Sequence, residues 1–400
     1  MATSYEDAGR GLPPELLNSD PGGFAWGVWH DRTPRLIAQV RDANPYGPAE
    51  RRALDELQEE IASGVMQPLG SHAHDRDTWS AWGVGRFGKP WLEAPFLWSE
   101  SYFYRRVLDA TGFFGPGPWR WVDPFEHLKA AELDDPGLEG DLAALEDLQR
   151  LPAEEQGSAK LLASLWGNRA DLGFRIGQSA QAREQGSAEL VADDSADLWA
   201  ALGPGARVVI VADNAGRELL ADLVLIDHLL EHDLASAISL HVKPWPYYVS
   251  DATAADVAAC LRRLARTTGS AAAVAHRVSA AMAGGRVGLD ADEFYCAPWS
   301  YRHLPASLAS RFGPASLTIF KGDLNYRRLA EDRAWPAVTP LPDVTSYFPG
   351  SFAVLRTLKS DVVTGLSPAA VAELDATGEP WRTDGRHALL QVLLRGAGRS

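Results

Sequence analysis

The residues best suited to chemistry in this 400-residue chain come in four polar clusters, each behind a short apolar run. Asp213-Asn214 follows Val208 to Ala212, and Ile238 to Val242 is followed by Lys243, a Pro-aromatic segment and Val249-Ser250-Asp251. Lys321-Gly322-Asp323-Leu324-Asn325-Tyr326-Arg327 follows Ser316 to Phe320, and Arg356-Thr357-Leu358-Lys359 follows Phe352 to Leu355. Asp213, Asn214 and Asp251 offer hard oxygen ligands, which suit a divalent ion such as Mg²⁺ or Mn²⁺. Lys359, with Arg327 or Arg356, can neutralise phosphate oxygens, Arg through a bidentate fork and Lys as a point charge. A metal beside such cations would stabilise charge on a transferring phosphoryl group and activate water or an aspartate nucleophile. The set therefore points to metal-dependent hydrolysis of a phosphate ester. Each cluster alone has a plainer use, because Asp and Asn cap helices routinely. Four at equivalent places are harder to attribute to capping.

Elements must bring those clusters together. A continuous β-branched run such as Val208 to Ala212 reads as a strand buried on both faces of a parallel sheet. From Arg207 onward the rhythm is strand, polar cluster, helix, repeated, which implies right-handed crossovers. All four clusters then leave the same carboxyl edge, where open α/β sheets bind ligands. A helix beginning around Arg217 adds free backbone N–H groups for an anion. The expected fold is α/β, a three-layer α/β/α arrangement with a mainly parallel Rossmann-like sheet plus an N-terminal helical region. Helices are also expected from Pro48 to about Ile61, from Ser195 to Leu202, and from Ala252 to Arg266 with Cys260 on the buried side. Ala130 to Lys160 is acidic and broken by Pro136, Gly137 and Pro152, so a boundary is expected there. The expected division is a helical region over 1–160 and an α/β catalytic domain over 161–400.

Some candidates lie outside the four clusters. On a helix through Trp91 to Phe114, Phe96, Glu100, Phe103, Tyr104 and Val107 share one face. A carboxylate within that stripe needs a metal, a substrate or an arginine, with Arg105 and Arg106 the nearest choices. Asn168-Arg169 could bind an oxyanion or could fix a tryptophan-anchored turn beside Asp171. His72, His74 and Asp75 stand close in sequence but are expected in an exposed loop rather than at a metal. Gly177 to Ser187 has the composition of a loop.

Composition narrows the partners. The chain is 46% hydrophobic and 23% charged, with net charge −15, and its pI near 5.1 argues against nucleic acid or an anionic membrane. Only Cys260 and Cys296 are present, too few for a disulfide framework or a thiolate zinc site. Neither a signal-like start nor an apolar stretch of membrane-spanning length is visible, so a cytoplasmic protein is expected.

The blocks VADNAGRELLADLVLIDHLL, HVKPWPYYVSD, GDLNYRRL and RTLK resemble the signatures of the metal-dependent damage-control phosphatases. The subgroup is the one marked by an Arg-Thr-x-Lys motif and described as acidic-residue methyltransferase-like. WLEAPFLWSESYFYRRV and LWGNRADL are similar to further blocks, so the resemblance runs from about Trp91 to Leu366. It implies Asp213, Asn214 and Asp251 as metal ligands, Glu218 in the same pocket, and Asp323, Leu324, Asn325, Tyr326, Arg327 and Lys359 against the substrate. It also implies small phosphorylated metabolites such as sugar phosphates as substrates, and Mn²⁺, Co²⁺ or Ni²⁺ as supporting metals. Two departures stand out: Arg217 replaces an expected large apolar residue, and the loop after Asp171 is long. Four other readings fit less well. A haloacid-dehalogenase-type phosphatase needs an acid where Ala215 stands, and a dinucleotide-binding protein needs G-x-G-x-x-G where the chain has D-N-A-G-R-E. An S-adenosylmethionine-dependent carboxyl methyltransferase lacks a Gly-rich loop here, and a sugar-phosphate binding protein would bind without turnover.

Overall fold

The computed structural model describes residues 11–167 and 190–395. They divide into two compact units: 11–127 with Ala297–Ser300 and Glu331–Trp335, and 128–167 and 190–296 with Tyr301–Ala330 and 336–395.

The first unit is helical. Pro48 opens the helix Pro48–Ser63, where its preset φ fits and its missing N–H costs nothing. Leu54, Leu57 and Ile61 bury one face of that helix at three- and four-residue steps. Phe96–Ala110 is buried along most of its length, and its Tyr102 ring stacks on Trp91 at 5.8 Å between centroids. Glu100 is buried on this helix. The two arginines suggested as its partners engage other carboxylates: Arg105 forks onto Asp75 at 2.8 and 2.7 Å, and Arg106 onto Glu60 at 3.0 and 2.9 Å. The His72 and His74 side chains are exposed, whereas Asp75 is tied down by Arg105 and by Trp79 Nε1 at 3.1 Å.

The second unit is built on a seven-stranded sheet: β1 (Leu190–Asp193), β2 (Arg207–Val211), β3 (Ala237–His241), β4 (Val287–Asp290), β5 (Leu317–Lys321), β6 (Phe352–Thr357) and β7 (Ala388–Leu393). Their order is β1-β7-β6-β5-β2-β3-β4, parallel at every junction except β6–β7. On one face Val208, Ile210, Ile319 and Leu355 pack with the helices Ala153–Trp166, Gly216–Glu231 and Ala254–Ala265 in a single aliphatic core. On the other, Phe312, Phe320, Phe348 and Phe352 form an aromatic chain with centroids 5.3 to 6.2 Å apart. Helix Gly216–Glu231 is buried nearly all round, which its leucine-rich sequence allows. A Thr253–Asp256 capping box starts Ala254–Ala265, and Cys260 is fully buried on it. The stretch expected to mark a boundary carries the helices Glu126–Leu133, Gly137–Leu148 and Ala153–Trp166. Pro136 and Pro152 stand immediately before two of them, as starts rather than breaks.

Candidate active site

β2 lies between β5 and β3, so chain connections leave it in both directions. Such a switch point opens a crevice beyond the carboxyl ends of the strands. The backbone there is stitched across two loops. Ala215 N–H donates to Ser250 O at 2.7 Å, Ala252 N–H donates to Asp213 O at 2.8 Å, and Asn214 and Asp251 form an isolated antiparallel bridge. Asp213, Asn214 and Asp251 are thereby fixed side by side, although 36 or more residues separate the first two from the third.

The side chains form one buried network. Asn214 Nδ2 donates to Asp213 Oδ2 and to Glu218 Oε2, both at 2.9 Å, while its Oδ1 accepts from Ser250 Oγ at 2.5 Å. Lys243 Nζ lies 3.0 Å from Asp251 Oδ2. Lys321, the last residue of β5, donates to Ser164 O at 2.6 Å, to Asp222 Oδ1 at 2.7 Å and to Glu218 Oε1 at 3.3 Å. Burial pushes Asp213 well above the usual carboxylate range; Glu218 and Asp251 push it further, while Lys359 and Lys243 pull it back. Asp251 is raised by burial against the pull of Lys243, and Asp222 by burial against Lys321. For Lys321 desolvation works against the charge, but Asp222 and Glu218 outweigh it and hold the ammonium protonated. Crowded, desolvated carboxylates of this kind favour a cation in their midst.

By donor type the site fits a hard divalent ion: two carboxylates and an amide oxygen lie together. Asp251 Oδ2 is buried and has no aligned hydrogen bond, since the Lys243 contact is an ion pair only. Among the described residues no three His, Cys, Asp or Glu side chains form a metal-spaced group, so Asn214 would be essential to any ligand set.

The cluster after β5 is mostly committed internally. Asn325 Nδ2 donates to Lys321 O at 2.7 Å and to Ala212 O at 3.2 Å, and its Oδ1 accepts from Tyr301 OH at 2.6 Å, tying the ends of β2 and β5 together. Tyr326 OH meets Thr364 Oγ1 at 2.9 Å, and Leu324 is buried. Asp323 is lowered: desolvation opposes its charge, but the Arg356 and Arg327 guanidiniums prevail.

The family model described as the damage-control phosphatase ARMT1-like domain matches residues 28–374. The chain belongs to this family. Membership makes it a phosphatase of the damage-control class. It is similar to damage-control phosphatase ARMT1 of Mus musculus, 30% identical over 95% of this chain and 98% of that protein. The ARMT1 proteins of Danio rerio and Homo sapiens are 29% and 28% identical, each over 95% of this chain and 97% and 98% of theirs. A DUF89 family protein from Pyrococcus horikoshii aligns with TM-score 0.47 and 15% identity over 88% of this chain and 94% of that one.

In this ARMT1-like phosphatase the Arg-Thr-x-Lys segment splits in two. Arg356 and Thr357 lie within β6 rather than beyond it, and Arg356 is fully buried. Its guanidinium holds Asp323 at 2.7 Å, Val362 O at 2.5 Å and Ser360 Oγ at 2.9 Å, so it braces the loop instead of reaching for phosphate. Lys359 is exposed, and its charge is felt by both Asp213 and Glu132. Arg217, the departure noted at the helix start, pairs with the buried Asp141 at 2.9 Å and with Asp135 at 2.8 Å, which replaces the apolar contact expected there. Asn168 and the loop after Asp171 lie outside the described residues. Sequence reasoning overlooked Asp222 and Glu132 as members of the network, and it named Lys243 and Lys321 at their strand ends without giving either a role. The two lysines carried a signal, since each sits at or just past a strand's carboxyl end within the polar clusters. Glu132 accepts from Arg217 N–H at 3.3 Å across 85 residues of chain, a pairing with no local signal.

Proposed function

We propose that this phosphatase hydrolyses phosphate monoesters of small metabolites, sugar phosphates such as fructose phosphates among them, with Asp213, Asn214 and Asp251 holding a divalent metal. The observation that carries the reading is the crowding of the buried Asp213, Asn214, Glu218 and Asp251 at the sheet's switch point, which raises Asp213. Such crowding is costly without a cation and is relieved by one. When bound, the metal would supply Lewis-acid charge to phosphoryl oxygens and make water more acidic. Lys359, exposed and electrostatically close to Asp213, neutralises the substrate phosphate. Arg327 adds a second positive charge, and the first turn of helix Gly322–Leu329 presents the Asp323 and Leu324 N–H groups to the anion. Asn325 and Tyr326 fix that turn in place. Glu218, gripped by Asn214 and Lys321, orients the Asn214 amide oxygen toward the metal position. Both cysteines are free and buried, which suits a reducing compartment and hence the cytoplasm.

The test is a metal-by-substrate panel on chelator-treated protein, with Mn²⁺, Co²⁺, Ni²⁺ and Mg²⁺ against p-nitrophenyl phosphate and a set of sugar phosphates. Hydrolysis should vanish with chelator and return with metal. Full activity in chelator would remove the metal from the reading, and inertness toward every sugar phosphate would remove that substrate class.

A further inference from the structure

Helix Glu126–Leu133 reaches the chain just beyond both loops that carry Asp213, Asn214 and Asp251. Lys129 and Glu132 stand three residues apart on it and so share one face. Lys129 is 4% exposed, and its Nζ donates to Asp256 Oδ2 at 2.9 Å. That same oxygen accepts from Thr253 N–H at 2.8 Å and from Thr253 Oγ1 at 2.7 Å, two residues beyond Asp251. Glu132 Oε2 accepts from Arg217 N–H at 3.3 Å, three residues beyond Asn214. The backbone is shaped for that approach: Gly216 has φ +66°, and a Cβ there would overlap the Glu132 carboxylate.

The next residues repeat both attachments. Leu133 O accepts from Arg263 Nε at 2.9 Å, on the helix Ala254–Ala265 that follows Asp251. Asp135 pairs with Arg217 at 2.8 Å, on the helix Gly216–Glu231 that follows Asn214. From Lys129 to Asp135 the contacts therefore alternate between the two helices. The strand-end site also feels these charges. Burial raises Asp251 and Lys243 pulls it back, with Lys129 adding to that pull. Burial raises Glu132, the Arg217 N–H lowers it, and Glu218 raises it again.

We infer that Lys129 and Glu132 are positioning residues, clasping the Asp213–Asn214 loop to the Asp251 loop and so fixing the spacing of the proposed metal ligands. The inference rests on the proposed metal reading for what the loops hold, whereas the clasp itself is measurable in metal-free protein. Both residues act on backbone two or three positions from a ligand, not on the ligand itself. Replacing groups that orient metal ligands from behind typically costs about 10- to 100-fold in metal affinity.

Hydrogen exchange and isothermal titration with Mn²⁺ on the full chain test this. In chelator, Glu132→Ala and Lys129→Met should each speed exchange of the Ala215 and Ala252 amides, which stitch the two loops together, by about 10-fold or more. β2 and β5 should exchange as in wild type, showing the sheet intact. Each variant should also weaken Mn²⁺ binding by about 10-fold or more. Glu132→Gln keeps an acceptor for the Arg217 N–H and should restore both properties to nearly wild-type values. Exchange or Mn²⁺ affinity unchanged in both variants overturns the clasp, and so does a Glu132→Gln variant as impaired as Glu132→Ala. If wild type binds no Mn²⁺ while the amides exchange faster as expected, the metal reading falls and the clasp stands.

Discussion

Asp213 keeps its place only because residue 322 has no side chain: a Cβ on Gly322 would overlap the Asp213 carboxylate. Gly322 also has φ +83°, a conformation that penalises every other residue. Strand end β2 and strand end β5 are therefore built to interlock. Gly322→Ala should displace the Asp213 carboxylate, lowering kcat on an aryl phosphate by about 10²-fold or more and costing about 1–3 kcal/mol of stability. Steady-state kinetics with chemical denaturation checks both, and wild-type turnover would show that Asp213 tolerates the shift.

Asp213 is a liability to the metal-free protein and an asset to the proposed reaction. Asp213→Asn keeps the shape and removes one of the mutually repelling carboxylates. In chelator its melting temperature should rise, by a stability gain on the order of 1 kcal/mol. Metal-dependent hydrolysis should fall below detection, and the metal-induced rise in Tm expected of wild type should be absent. A metal shift of wild-type size in the variant would remove Asp213 from the ligand set.

Lys359 is exposed, so its replacement should leave the fold untouched. Lys359→Ala should cost about 1.5–3 kcal/mol of substrate affinity if the ammonium bonds phosphate directly, a rise in KM of about 10- to 150-fold. Circular dichroism and Tm should match wild type. Unchanged KM and kcat would take Lys359 out of the site.

The parallel strands that carry the site were legible because β2, β5 and β6 are largely apolar and β3 alternates Ile238 and Leu240 with Ser239 and His241, each with a polar cluster at or after its end. β1 and β4, four residues each at opposite edges of the sheet, are too short to show a period. β7 went unread because its ALLQVL run is followed by no polar cluster and lies antiparallel to β6. Within the site, residue types along one strand end were readable, but commitments were not. Arg356 and Asn325 look like ligand binders in sequence; only packing reveals that their donors are spent on Asp323, Val362, Lys321 and Ala212. Glu218 and Lys321 are joined across 103 residues, a separation at which spacing carries no information.

Lys321 holds the network from below. It is 1% exposed and lies between Glu218 and Asp222, both buried. Lys321→Ala would strand two carboxylates without their counter-ion, a loss of about 3–5 kcal/mol in urea unfolding. Lys321→Ala/Asp222→Ala, which deletes the closer pair together, should recover part of that loss. No recovery in the double variant would mean that the ammonium is held mainly by Ser164 O and Glu218.

His228 sets part of the acid limit. It is buried against Lys160, whose Nζ lies 3.3 Å from its Nδ1; burial, then Lys160 and His232, push its pKa from 6.5 down to about 3. Below pH 6.5 the unfolded chain takes up a proton that the folded chain refuses until about pH 3, so folding loses stability as pH falls through that window. The loss approaches ~1.4 kcal/mol per pH unit once the unfolded histidine is fully protonated. His228→Gln keeps a polar group beside Lys160 but cannot titrate. Its unfolding free energy, measured in urea at pH 7, 6 and 5, should fall less steeply than that of wild type. Two parallel curves would mean that His228 charges in the folded state as readily as in the unfolded chain.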